Sequence, residues 1–175
     1  MKKILVFLGI IMIICLFTNN KKDYYVIPEE SIRFRIIANS NSTNDQYIKI
    51  KVKDVLEKKV TSDLKKSKTI EESRNIIKDN MDSYERLIKE TLVNLNYDTE
   101  FTINFGNNYF PDKEYKEVLY EKGYYESLVV TLGKGEGDNW WCVLFPPICT
   151  LEVEENKDIE YKIFVKELFE KYLKR

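Results

Sequence analysis

In SIRFRIIA, residues 31–38, the apolar Ile32, Phe34 and Ile36 alternate with Arg33 and Arg35, the two-residue period of a strand with one covered face. The polar stretch NSNSTND follows. There Ser42 or Thr43 can accept from the free amides of a helix start, and Asp45 lies where the positive end of a helix favours a carboxylate. A helix is therefore expected from about residue 43 to Val60, burying Ile48, Val52, Val55 and Leu56. After the lysine-rich KKSK a second helix is expected from near Thr69, with Glu71 and Glu72 in its first turn. Its stripe of Ile77, Met81, Tyr84, Ile88, Leu92 and Leu95 advances in steps of three and four, the spacing of one buried helix face. The period then changes. Phe101, Ile103 and Phe105 alternate, EVLY and YYESLVVTL flank Glu121, Lys122 and Gly123 as strands flank a hairpin turn, and NWWCVLF reads as a further strand ended by Pro146 and Pro147. Residues 159–173 return to helical spacing through Ile163, Leu168, Phe169 and Tyr172. The order β-α-α-β-β-β-α predicts an α+β domain over residues 31–175, a mostly antiparallel sheet of about four strands with helices packed on one face.

The N-terminus obeys a different rule. Lys2 and Lys3 precede an unbroken apolar run over residues 4–17, followed by the polar TNNKKD. This is the layout of an export signal, shorter than a comfortable bilayer span. Residues 1–20 are expected to be a signal peptide or an uncleaved anchor, and residues 21–30 a tether. No A-x-A pattern follows the run, which keeps the anchor open beside cleavage. Ile14 stands before Cys15 where a lipoprotein acceptor wants a small residue, so Cys15 reads as one more apolar side chain.

Charge and composition narrow the chemistry. The 28 basic and 29 acidic residues nearly cancel and are interspersed, so neither a nucleic acid nor an anionic membrane surface is implied as a partner. Histidine is absent, which removes the commonest general base and metal ligand and every Ser-His or Cys-His nucleophile pair. GKGEGDN, with Gly133, Gly135 and Gly137, lacks the G-x-x-x-x-G-K-[ST] frame and joins two strands; it reads as a flexible connection, not a phosphate loop. No metal and no cofactor is expected. Cys142 and Cys149 are too few for a zinc site and too far apart for a C-x-x-C motif. In an exported domain the natural inference is a disulfide, with the Pro146-Pro147 turn bringing its ends together. So short a loop would stabilise the fold by only about 2 kcal/mol, so its main effect is to fix local shape. On a strand Trp140 and Trp141 face opposite sides. One is expected in the core, and the other either under the C-terminal helix or on the surface, where it would resemble a protein-binding hot spot.

IPEESIRFRIIANSNSTNDQYIKIKVKD and YESLVVTLGKGEGDNWWCVLFPPIC, with the helical spacer between them and the N-terminal apolar segment, resemble the stage II sporulation protein R family of endospore-forming bacteria. The matched positions are Arg33, Ala38, Asn39, Ser40, Asp45, Gln46 and Lys49 in the first block. In the second they are Asn139, Trp140, Trp141, Cys142, Phe145, Pro146, Pro147 and Cys149. Residues 111–124 and the acidic LEVEEN depart from the family's pattern. The resemblance implies a signalling protein, not an enzyme, secreted across the forespore membrane into the intermembrane space. There it would activate a membrane-embedded aspartic protease of the mother cell that processes pro-sigma-E. Trp140, Trp141, Phe145, Pro146, Pro147, Asn39 and Ser40 are the candidate partner contacts. The alternative is an exported cell-envelope hydrolase using acidic residues, with Glu126 or Asp138 as its acid. The expected bridge is directly measurable: mass spectrometry of the exported protein without reductant should find Cys142 joined to Cys149, and two free, alkylatable thiols would refute it.

Overall fold

A computed structural model describes residues 25–27, 29–115, 118–150 and 158–173. In chain order the elements are β1 (Tyr25–Val26), β2 (Ile32–Ile37), α1 (Thr43–Leu64), α2 (Ile70–Asp79), α3 (Met81–Asn94), β3 (Phe101–Phe110), β4 (Lys113–Tyr115), β5 (Val118–Tyr120), β6 (Gly123–Leu132), β7 (Asn139–Phe145), a 3-10 turn (Ile148–Thr150) and α4 (Asp158–Leu173). The expected signal segment, 1–20, lies outside the described residues. Residues 25–27, within the segment expected to be a tether, are joined to the domain: β1 runs parallel to β5, and Ile27 is buried and donates its amide to the Leu119 carbonyl at 3.1 Å.

The fold is α+β, as expected, but the main sheet is mixed. Its strand order is β3-β6-β2-β7, with β2 parallel to β6 and antiparallel to β7, and β3 antiparallel to β6. A parallel neighbour needs a long crossover, and the three helices and β3 supply it. The expected hairpin at Glu121–Gly123 is also corrected. β5 and β6 belong to different sheets, because β5 pairs with β1 and β4 in a small three-stranded sheet. The true hairpin is β3 with β6, closed where Phe110 faces Gly123, and β4 and β5 form an excursion from its tip. Asp112 accepts from the Lys122 amide at 2.6 Å and holds the base of that excursion together.

On β2 the alternation read from sequence sorts side chains to two cores. Ile32, Phe34 and Ile36 face α1–α3, with Ile48, Val52, Leu56, Val60 and Leu64 of α1 opposite them. These α1 positions recur every four residues, so the buried stripe continues past Val60 and the helix runs to Leu64. The expected single second helix is two, broken at Asn80. Asn80 donates its side-chain amide to the Ile76 carbonyl at 2.9 Å, the local competition with helix bonds that makes Asn a terminator. Tyr84, Ile88 and Leu92 still fall on one buried face. α4 packs mainly elsewhere: Val165 and Phe169 lie on the sheet's other side with Ile27, Val118, Tyr120 and Val143, while Tyr172 and Leu173 of its last turn reach the first core. Val165 and Phe169 close the core that takes in Trp141 and Val143 of β7, on the face where β2 presents Arg33 and Arg35.

Arg33 is the exception within the second core. It is 1 % exposed, and its guanidinium carbon lies 3.3 Å from the centroid of the Tyr125 ring, 5.6 Å from that of Phe110 and 5.7 Å from that of Tyr120. Among the described residues none of its guanidinium nitrogens finds a hydrogen-bond partner. Burial pushes its pKa below the usual arginine value, the direction desolvation dictates for a cation. Ring contacts return about 2 kcal/mol, less than the several kcal/mol that a desolvated ion costs. Arg33→Met, which keeps the volume and removes the charge, is expected to raise the thermal midpoint by a few degrees in circular-dichroism melts. A drop as large as that of a core truncation would show that the stacked cation is net stabilising.

Candidate functional site

At one end of the main sheet the two sequence blocks meet. β2 stops at Ile37, opposite Asn139, and the chain turns through Asn39–Ser42 into α1. Ser42 caps the helix, its hydroxyl accepting from the Asp45 amide at 3.1 Å. This places Asp45 in the first turn, 8 % exposed. Its Oδ2 accepts from Ser40 Oγ at 2.5 Å and Asn39 Nδ2 at 3.0 Å. Its Oδ1 accepts from the Tyr97 hydroxyl at 2.5 Å. Tyr97 arrives there because α3 ends in a left-handed Asn96, φ 51°, with the Tyr97 and Asn96 amides donating to Leu92 and Val93, the Schellman arrangement Asn tolerates. Tyr97 escaped the sequence reading; the Leu-Asn-Tyr that ends α3's stripe was the available signal.

The glycine loop is built onto the same turn. Asn39 Oδ1 accepts from the Lys134 amide at 2.9 Å, its carbonyl from Glu136 at 3.1 Å, and the Ala38 carbonyl from Gly137 at 2.9 Å. The loop amides that a phosphate would need are therefore already taken, and the connection is pinned, not flexible. Gly137 is required by closeness: a Cβ there would collide with the Ser40 carbonyl. Asn41 Oδ1 accepts from the Asp138 amide at 2.6 Å. Lys49, 6 % exposed, donates to the Asp138 carbonyl at 3.0 Å and to Gln46 Oε1 at 2.6 Å. Burial lowers its pKa. Arg33 apart, the first-block positions singled out from sequence, Ala38, Asn39, Ser40, Asp45, Gln46 and Lys49, thus form one polar cluster with Asp138 and the loop.

The other candidates are spread along β7 and the turn after it. Trp140 and Trp141 are both half-buried, on opposite faces of β7. Trp140 meets Phe34 edge-on at 5.3 Å, beside the Lys53 ammonium at 5.5 Å. Trp141 meets Phe110 at 5.2 Å and Tyr120 at 6.3 Å, with the Lys113 ammonium 4.8 Å from its ring. Trp140 packs against the core under α1–α3 and Trp141 against the one that includes Val165 and Phe169 of α4. Phe145 is 1 % exposed and rests against Tyr172 at 5.4 Å. Pro146 is buried behind a cis Phe145–Pro146 peptide, and Pro147 is half-buried. Cys142 and Cys149 are joined in a disulfide with a Cα separation of 5.6 Å. Phe145 pairs with Ile32, so this turn and the Asn39–Ser40 turn stand at opposite ends of β2, about 17 Å apart at the rise of a strand. Trp140, opposite Ile36, lies toward the Asn39–Ser40 end of β2, and Phe145 with the two prolines lies at the other.

The same separation bears on the acids. Glu126 lies beyond Ser127, which pairs with Arg33, whereas Asp138 precedes Asn139, which pairs with Ile37. Paired carboxylates for glycoside hydrolysis stand at most about 9.5 Å apart. Glu126 is further committed to Arg74, whose Nε and Nη2 donate to it at 2.5 and 2.9 Å. Among the described residues no group of His, Cys, Asp or Glu could hold a metal ion.

With this geometry in place, the comparisons are specific. Residues 28–155 match the family described as stage II sporulation protein R (spore_II_R). The chain belongs to that family of sporulation proteins. It is 39% identical over 135 residues to the stage II sporulation protein R of Bacillus subtilis (strain 168), a match covering 77% of this chain. The chain spans 60% of that relative's length in the match. No solved structure matches.

Asp45 gives the cluster a pH signature. Hydrogen bonds from Ser40 and Tyr97, with Asn39 and Ser42 adding to them, hold its carboxyl below the usual carboxylate value against the opposing effect of burial. A depressed folded pKa contributes stability that is complete above the unfolded value of about 3.9 and is lost as pH falls through the folded one. Wild-type protein should therefore be more stable than Asp45→Asn near neutrality, by about 1–3 kcal/mol. In thermal melts below about pH 4 the gap should narrow. A gap unchanged down to about pH 2 would show that the carboxylate charge is not its source.

Proposed function

We propose that this chain is an exported signalling protein of sporulation that activates a membrane-embedded aspartic protease of the mother cell, the one that processes pro-sigma-E. Residues 1–20 carry it across the forespore membrane into the intermembrane space, as a cleaved signal or an anchor. The observation that carries this reading is the family match over residues 28–155. The geometry is in keeping with it: the polar cluster around Asp45 is occupied in holding the fold together, and Glu126 is bound to Arg74, so both act as structure in a protein that works by contact. An activator of this kind must bind the active state of its target more tightly than the inactive one, by ~1.4 kcal/mol for each tenfold shift.

Co-expression with the protease and its pro-sigma substrate tests the reading. Processed sigma factor should accumulate only when the exported chain is present, and should fall to background when residues 1–20 are removed. Processing at the same level without the chain would overturn it.

A further inference from the structure

A cleft of about 450 Å³ opens between the C-terminal part of α1 and the last turn of α4, at the disulfide end of the main sheet. That volume is within the range of sites that accept a few side chains. Leu144, Pro147 and Tyr172 give it apolar walls, and Cys149 of the disulfide lines it. The walls are fixed before anything binds: the bridge ties the 3-10 turn to β7, two prolines stiffen the turn, and Tyr172 rests on Phe145. A rigid apolar wall lowers the ordering cost of docking.

The mouth is charged with one sign. Lys58 and Lys65 line the cleft and are exposed, and among the described residues no carboxylate lines it. Other lysines of α1 are neutralised by neighbours, Lys53 by Asp54 and Glu57 and Lys59 by Asp63. Lys58 and Lys65 form no ion pair among the described residues. An apolar socket rimmed by unpaired ammonium groups is complementary to an apolar side chain flanked by carboxylates.

The geometry points to this cleft as the docking site for an acidic–apolar segment of the protein partner, with Lys58 and Lys65 pairing its carboxylates and the Leu144–Pro147–Tyr172 wall receiving its apolar side chain. The assignment rests on the signalling reading above and gives that reading a surface, separate from the Asp45 cluster. It also gives the disulfide a role, since the bridge holds one wall of the socket.

The test uses the full-length exported chain, co-expressed with the protease and pro-sigma substrate. Lys58→Glu combined with Lys65→Glu, and separately Ser62→Trp, which fills the cleft from α1, should each lower processing about tenfold while the purified proteins keep the wild-type melting temperature. Lys78→Glu with Lys89→Glu, on the exposed sides of α2 and α3, should leave it unchanged. A photoreactive p-benzoylphenylalanine at position 62 should cross-link to the protease, and one at position 90 should not. If wild-type chain drives processing and both cleft variants do so equally well, the cleft assignment falls while the signalling reading stands. If wild-type chain drives no processing, the signalling reading itself fails and the cleft loses this partner with it. Cross-links from position 62 only to a second copy of the chain would replace the partner by a dimer and overturn the assignment.

Discussion

The Asp45 carboxylate is the constraint on which the arrangement turns. A carboxylate almost wholly removed from water must be met by donors or lose its charge, and here Ser40, Asn39 and Tyr97 meet it from the turn before α1 and from the end of α3. The donors are held in place by what they do besides. Asn39 bonds Asp45 with its side-chain amide and the Lys134 amide with its side-chain oxygen. One residue therefore links the helix start to the glycine loop that delivers β7. β7 in turn lies antiparallel to β2 along its whole length, so the position of the disulfide turn at its far end follows from how its near end is fixed. Two stretches almost a hundred residues apart in sequence are thereby set in one register.

β2 carries the second constraint. As an inner strand with neighbours on both sides, it has two faces to cover, and the one turned away from α1–α3 carries Arg33 and Arg35. A single layer of helices cannot cover both, which is why the small sheet and α4 close the other side. The aromatic residues gathered there, Phe110, Tyr120, Tyr125 and Trp141, suit the arginines: ring faces accept a guanidinium where aliphatic side chains would not. Arg35 uses the same surface, near Phe110 and Trp141, and reaches the Tyr109 carbonyl at 3.1 Å.

Local pattern reveals what local physics decides. The alternation of Ile32, Phe34 and Ile36, the Ser42 cap, the acid at Asp45 and the stripe through Tyr84, Ile88 and Leu92 are each settled within a turn or two of chain, and each is where the sequence places it. Pairing partners are not local. An apolar strand such as LVVTL is equally compatible with a parallel or an antiparallel neighbour, so the mixed sheet and the β4–β5 excursion were hidden. Asn80 was visible as a residue but not as a break, because Ile77 and Met81 keep helical spacing across it. The site divides the same way. Asn39, Ser40 and Asp45 are close in sequence and were legible as turn and cap. Tyr97 was not, since its link to Asp45 depends on α3 folding back over the sheet end.

The separation of the two ends of β2 has a functional meaning. Side chains such as Asn39 and Asp45 have nearly all their hydrogen-bonding capacity used inside the fold, and a partner that took them would have to break bonds that hold β2, α1 and β7 together. Groups at the disulfide end are in the opposite condition: Lys58 and Lys65 are exposed and form no ion pair among the described residues, next to apolar walls that the fold keeps rigid. Binding energy comes from groups not already satisfied, since only those gain a contact without losing one. The most intricately bonded residues of the chain therefore act as its frame. The cleft proposed as the docking site lies at the other end of the strand, where nothing in the described structure fills it.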